Sequence, residues 1–252
     1  MKKKLMKAAA LLVCMTFALC GCGKKKDVIK VGMEIGYPPF EYYDEDGSTP
    51  IGIDIELGRA IADEMGVDIE FINTAWDGIF EGLDNDEYDC IISGVTITPE
   101  RVKDYDFTQP YIQNYQSLVV LKDSEVKPKE LSECAGLRVG FQEETMSDSL
   151  FTEYMSENNM QAETYEYAKI IDSFSDLKLG RIDVIVCDST VSDVYAGAED
   201  SIYEITWVQN DQPEEFGICV KKGNRELLDK LDSAISTLKQ NGKLDEILSN
   251  NL

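Results

Sequence analysis

Histidine is absent from the 252 residues. Its absence removes the commonest general base and metal ligand, and it excludes any histidine-based triad. Basic residues are scarce beside acidic ones, 24 against 48, for a formal net charge of −24. Such a chain is a poor partner for nucleic-acid backbones, and its acidity most simply keeps it soluble. Long apolar runs are lacking too. The run over 8–19 stands out, but it is too short for a standard transmembrane helix. What remains is an ordinary apolar fraction, 43%, enough for a sizeable core in one large domain or two small ones.

The first residues read as a targeting segment. Lys2, Lys3, Lys4 and Lys7 precede the apolar run, which ends in Leu19-Cys20-Gly21-Cys22. This ending resembles the bacterial lipobox Leu-x-Gly-Cys and implies a signal peptide over 1–21, with the lipid on Cys22. An ordinary secretory signal is the alternative. Cleavage there removes four lysines and takes the net charge from −24 to −28. Residues 22–27, with Lys24, Lys25 and Lys26, then form a short basic tether beside an anionic lipid surface. Of the remaining cysteines, Cys90, Cys187 and Cys219 sit in apolar runs and Cys134 does not. Their spacing supports buried free thiols rather than a disulfide framework or a metal site. No metal or cofactor is expected.

From residue 28 strand and helix signals alternate. Val28–Met33 reads as a strand. Ile53–Met65 places Leu57, Ala60, Ile61 and Met65 on one helical face and stops at Gly66. A strand follows over 67–71, a helix over 76–83 and a strand over 88–95. The pattern recurs with strands over 137–141, 164–167 and 182–187 and helices over 146–158, 170–179 and 191–196. "WDGIFEGLDNDEYDCIISG" (76–94) parallels "IDSFSDLKLGRIDVIVCDS" (171–189). Two similar α/β lobes follow, each a mostly parallel sheet flanked by helices and open at its strand ends. A last strand over 215–221 and a helical region over 225–248 return to the first lobe. The expected division is lobe 1 over 28–112, lobe 2 over 113–212 and a returning segment over 213–252. Crossings near 112–118 and 208–214 form a two-strand hinge and enclose a cleft.

One stretch looks built for an anion. In "GVTITPERVKDYDFTQPY" (94–111), Thr98 suits an N-cap, Pro99 the first helical position and Glu100 the positive end of the dipole. Arg101 then lies in a first turn, where cations are disfavoured. A guanidinium fork beside the N–H groups of a helix start makes a site for a carboxylate or phosphate.

Three blocks carry a resemblance: "VGMEIGYPPFEYYDEDG…IGIDIELGRAIADEMG", "AWDGIFEGLDNDEYDCIISGVTITPERVKDYDFTQPY" and "GRIDVIVCD". The chain resembles the polar amino-acid solute-binding proteins of ABC importers, solute-binding family 3, over roughly 27–252. The resemblance implies a two-lobed type II periplasmic-binding-protein fold that closes on an L-amino acid. It implies that Arg101 forks the α-carboxylate, with Thr96 sharing it and Ser93 and Gly94 lining the same turn. Asp188 would hold the ammonium, Tyr37 would cover the ligand and Trp76 would stack from the other side. Glu34 occupies the position that selects side chains in basic-amino-acid binders. The family's Gly-Thr pair falls on Glu144-Thr145, so Thr145 keeps its hydroxyl while Glu144 departs from glycine. A monomer is expected, outside the cytoplasm, lipid-anchored and serving ABC permease subunits.

Each residue also has a plainer role. Arg101 could pair on the surface with Glu100 or Asp104, Asp188 could cap the next helix, Trp76 could be core and Glu34 a solvated strand end. Glu34, Tyr37 and Trp76 together point to a cationic side chain, lysine or arginine. A polar neutral amino acid such as glutamine or cystine is the alternative. A dehydratase on the same fold, with Glu143 or Glu144 as general acid, is the enzymatic one. A sensory module would be fused to transmembrane and kinase segments, which the sequence does not contain.

Overall fold

The computed structural model describes residues 27–252. The expected signal segment, Cys22 and the basic tether through 26 lie outside them. The first lobe begins with β1 (Val28–Met33), a small hairpin of β2 (Tyr42–Tyr43) and β3 (Pro50–Ile51), and α1 (Ile53–Met65). In α1 the buried face is Ile53, Ile55, Leu57, Ile61 and Ala62. Gly66 ends it in the left-handed conformation, its N–H closing onto the Ala62 and Asp63 carbonyls. Then come β4 (Asp68–Asn73), α2 (Ile79–Asp84), β5 (Cys90–Ile91), α3 (Arg101–Asp104) and β6 (Tyr105–Phe107).

The chain leaves through β7 (Ile112–Asn114) into β8 (Gln116–Leu121), the first strand of the second lobe. That lobe continues with β9 (Arg138–Gln142), α4 (Met146–Glu157), β10 (Glu163–Tyr167), α5 (Ile170–Lys178), β11 (Val184–Asp188), α6 (Ser189–Gly197) and β12 (Tyr203–Val208). It returns through β13 (Glu214–Phe216) and β14 (Cys219–Lys221), and finishes in α7 (Arg225–Gln240) and α8 (Lys243–Asn251).

The two five-stranded sheets have the same plan, ordered β4-β1-β5-β14-β6 and β10-β9-β11-β8-β12. In each, the three strands joined by helices pair in parallel, and the strands next to the crossings pair antiparallel. Each sheet is therefore mixed but mostly parallel: four strands run one way, and one, β14 or β8, runs against them. Helical crossovers enforce parallel pairing, whereas the strands that the crossing segments deliver run the other way. The crossings form an antiparallel ribbon of β7 with β13, and Thr96 bridges to Phe216 beside it.

Three local expectations are revised. The strand over 88–95 is only Cys90–Ile91, because the chain turns at Ser93 and Gly94, where Gly94 has φ +54°. The strand over 215–221 divides at Gly217, where the chain passes from the ribbon to the first sheet. A side chain there would come within 2.8 Å of Ile97. The helical region over 225–248 breaks at Asn241-Gly242, with Gly242 at φ +79°. Apolar residues of α7 and α8, among them Leu231, Ile235, Leu244 and Ile247, are buried and belong to one core with Ile61 of α1 and Val31 of β1. Cys90, Cys134, Cys187 and Cys219 are all free and buried.

Candidate functional site

The carboxyl ends of β1, β5, β9 and β11 face one another across the gap between the lobes, the place where open α/β sheets hold ligands. A cavity there is lined by Glu34, Tyr37, Glu41, Trp76, Ser93, Gly94, Thr96, Arg101, Gln142, Thr145 and Asp188. All nine ligand residues expected from the sequence are among these, together with Glu41 and Gln142. The cavity volume is about 20 Å³. The cavity is thus a narrow slot rather than an open bowl.

Arg101 enters from the first lobe. The Thr98 hydroxyl caps its turn by accepting from Arg101 N at 3.1 Å. The guanidinium donates from Nη1 to the Thr96 carbonyl at 3.0 Å. It lies over the Phe80 and Trp76 rings, 5.2 and 5.6 Å from their centroids. Among the described residues it makes no ion pair with Glu100, Asp104 or any other acid. Burial lowers its pKa, and the charges of Glu214 and Asp188 oppose that. Its remaining N–H groups donate to no described partner, so a desolvated cation is left with free hydrogen-bonding capacity beside the cavity.

Asp188 enters from the second lobe at the end of β11. It starts α6 but makes no side-chain cap there. Instead its carboxylate gathers donors: Tyr37 Oη at 2.5 Å, Gln116 Nε2 at 2.6 Å and Asn114 Nδ2 at 2.8 Å. Burial raises its pKa, and these bonds together with the Arg101 charge pull it back. Tyr37 belongs to the first lobe, so its bond also closes the cleft. Trp76 does the same by donating Nε1–H to the Glu144 carbonyl at 3.2 Å. Trp76 is buried in a small first-lobe cluster as well, so its core and site roles coincide.

Glu34 is no solvated strand end; it is 2% exposed. Its Oε2 accepts from Gln142 Nε2 of the second lobe at 2.7 Å. Its Oε1 is buried and accepts no hydrogen bond. Burial raises its pKa, offset by Gln142 and by the Lys169 charge.

Behind the cavity wall sits a second pair of acids. Ser93 accepts from Glu34 N at 3.0 Å and donates to Glu41 Oε1 at 2.5 Å. Asp54 accepts from Gly94 N at 2.8 Å and from Tyr111 Oη at 3.0 Å. Glu41 Oε2 and Asp54 Oδ1 lack other partners. A proton kept on Glu41 joins the two carboxyls: burial and the nearby Asp54 charge raise Glu41 well above its ordinary range, and burial pushes Asp54 up to about 6. The pair braces the Ser93-Gly94 turn. Thr96 donates to Glu214 Oε2 at 3.2 Å, and Gln116 bridges Glu214 Oε1 at 2.9 Å to Asp188. Thr145 donates to the Gln142 carbonyl at 2.7 Å and caps α4.

Sequence reasoning missed Glu41, Gln142, Asn114, Gln116, Phe80 and Glu214. Gln142 ends the strand "RVGFQ", a position the strand-end rule could have flagged; the others carry no local signal.

The backbone at Glu144 accounts for the family's glycine there rather than for the glutamate. It has φ +58°, the left-handed region glycine adopts freely, while the exposed Glu144 side chain points out of the cavity. Glu144→Gly is therefore expected to stabilise the protein by about 0.5–1 kcal/mol after the entropy cost of glycine. Glu144→Ala keeps the strain and gains nothing. Urea midpoints that leave both variants at the parental value would contradict this. Neither Glu143 nor Glu144 lines the cavity, so the acids suggested for a dehydratase are misplaced for that chemistry.

Two α/β lobes on a two-strand hinge, closing charged strand ends over one small cavity, define a solute-binding protein. The chain belongs to the bacterial extracellular solute-binding proteins, family 3, whose profile matches residues 29–251. It is 32% identical over 243 residues to the ABC transporter arginine-binding protein 1 of Escherichia coli strain K12, covering 95% of each chain. It is 30% identical over 225 residues to the L-cystine-binding protein TcyJ of the same strain, covering 89% of this chain and 82% of that one. Among solved structures, an ancestral arginine-binding protein bound to arginine matches with a TM-score of 0.84 at 33% identity, covering 90% of this chain and 99% of that one.

Proposed function

We propose that the cavity binds an L-amino acid with a cationic side chain, lysine or arginine, and that the protein delivers it to the permease subunits of an ABC importer. The charge distribution around the cavity carries this reading. Arg101 on one lobe and Asp188 on the other supply a cationic and an anionic anchor for a zwitterion, so a bound amino acid would bridge the lobes and favour the closed state. Arg101 would take the α-carboxylate with its spare N–H donors, Asp188 the α-ammonium, and Tyr37 and Trp76 would exclude water. With Glu41 protonated, Glu34 is a further negative charge in the lining. A cationic side chain both neutralises it and donates to its bare Oε1, whereas a neutral amide can donate but leaves the charge in place.

One observation favours a second reading. Lys169 Nζ lies 3.9 Å from Glu34 Oε1 and already answers part of that charge, which would suit a polar neutral amino acid such as glutamine or cystine. Relatives named for arginine and for cystine support one reading each. The lipobox supports a lipid anchor on Cys22 that ties the protein to the cell membrane, outside the cytoplasm.

A thermal-shift screen over the twenty amino acids, with cystine added, tests this. Lysine or arginine at one hundred times Kd should add about 2.7 kcal/mol of apparent stability. A response to glutamine or cystine alone selects the second reading, and a flat screen overturns both.

A further inference from the structure

Lys169 stands between β10 and α5 in the second lobe, with its side chain 45% exposed. It reaches across the cleft to Glu34 of the first lobe, 135 positions earlier in the chain. The 3.9 Å from its Nζ to Glu34 Oε1 is an ion pair without a hydrogen bond. A methyl group placed on Gly36 would lie 3.6 Å from both atoms, so they border the same small space beside Tyr37, a wall of the cavity. That Oε1 is the buried oxygen of Glu34 with no donor. Two cations can therefore answer it: the tethered ammonium of Lys169 or the side chain of a bound ligand. Asp172, in the first turn of α5, adds negative charge nearby but no competing cation.

We propose that Lys169 is a specificity-determining residue, whose ammonium competes with a cationic ligand side chain for Glu34 and shifts selectivity toward polar neutral amino acids. This rests on the amino-acid reading above. Like charges a few ångströms apart over one carboxylate repel, and the exposure of Lys169 moderates the effect through solvent screening.

The test is calorimetric titration of the protein with L-arginine and with L-glutamine, in the parent, K169M, E34Q and E34Q/K169M. Removing Lys169 takes away a charge that helps ionise Glu34, so pH 8 is used to keep the carboxylate charged. K169M is expected to tighten arginine by about tenfold while glutamine changes by less than about threefold. In the E34Q background the arginine gain from K169M falls below about threefold, because the contested carboxylate is gone. An unchanged arginine-to-glutamine ratio in K169M, or an equal gain in the E34Q background, overturns the assignment of Lys169 alone. A parent that binds neither of these, nor lysine or cystine, overturns the amino-acid reading, and this assignment with it.

Discussion

Arg101→Met is expected to weaken amino-acid binding by about 2–5 kcal/mol, roughly 30-fold to several thousand-fold, because it leaves a desolvated carboxylate unpaired. Methionine preserves most of the stem that packs against Trp76 and Phe80, so the loss reports the charged fork rather than a collapsed wall. Arg101→Lys should recover only part of it, since an ammonium cannot grip both carboxylate oxygens in one plane. The environment of Arg101 supports a large value. The guanidinium has one bond to the Thr96 carbonyl, two aromatic faces against it and no ion pair among the described residues. Titration of the methionine variant with L-arginine or L-lysine at parental affinity would remove Arg101 as the carboxylate anchor.

Glu214→Gln should change the pH dependence of stability. Glu214 lies in the hinge ribbon, taking a bond from Thr96 of the first lobe and one from Gln116 of the second. Burial, then the charge of Asp188, pushes its carboxyl from 4.5 up to about 7. The folded protein therefore keeps a proton through a range in which the unfolded chain has lost it. Its stability contribution is complete below about pH 4.5 and is lost as pH rises through about 7.

Glutamine copies the protonated acid and does not titrate. The variant should track the parent at pH 4 and exceed it by about 2–3 kcal/mol above pH 8, the lower figure allowing for water at the hinge. Asp54 and Asp188 have raised pKa values too, so the parent declines over this window for several reasons and the difference between the two proteins isolates Glu214. Asp106 and Asp183 have lowered pKa values and act below pH 3.8, outside the window. Urea titrations giving parallel curves from pH 4 to 8.5 would show that Glu214 titrates normally.

Sequence alone determined the parts governed by local periodicity and by turn chemistry. The helix Ile53–Met65 and its glycine stop follow from apolar spacing, and the Thr98 cap that aims Arg101 follows from residue type. The alternation of strands and helices implied two α/β lobes with open strand ends, and four strand ends do meet at the cavity. Tertiary structure decided the rest. Tyr37 meets Asp188 151 positions away, Gln142 meets Glu34 across 108, and Thr96 meets Glu214 across 118. No repeat of 2 or 3.6 residues encodes such pairs; they exist because the two lobes meet across the cleft beside the β7–β13 ribbon. The same contact removes water from Glu34, Asp188 and Glu214, and only that desolvation turns ordinary surface acids into groups with displaced pKa values and an unmet need for a cation.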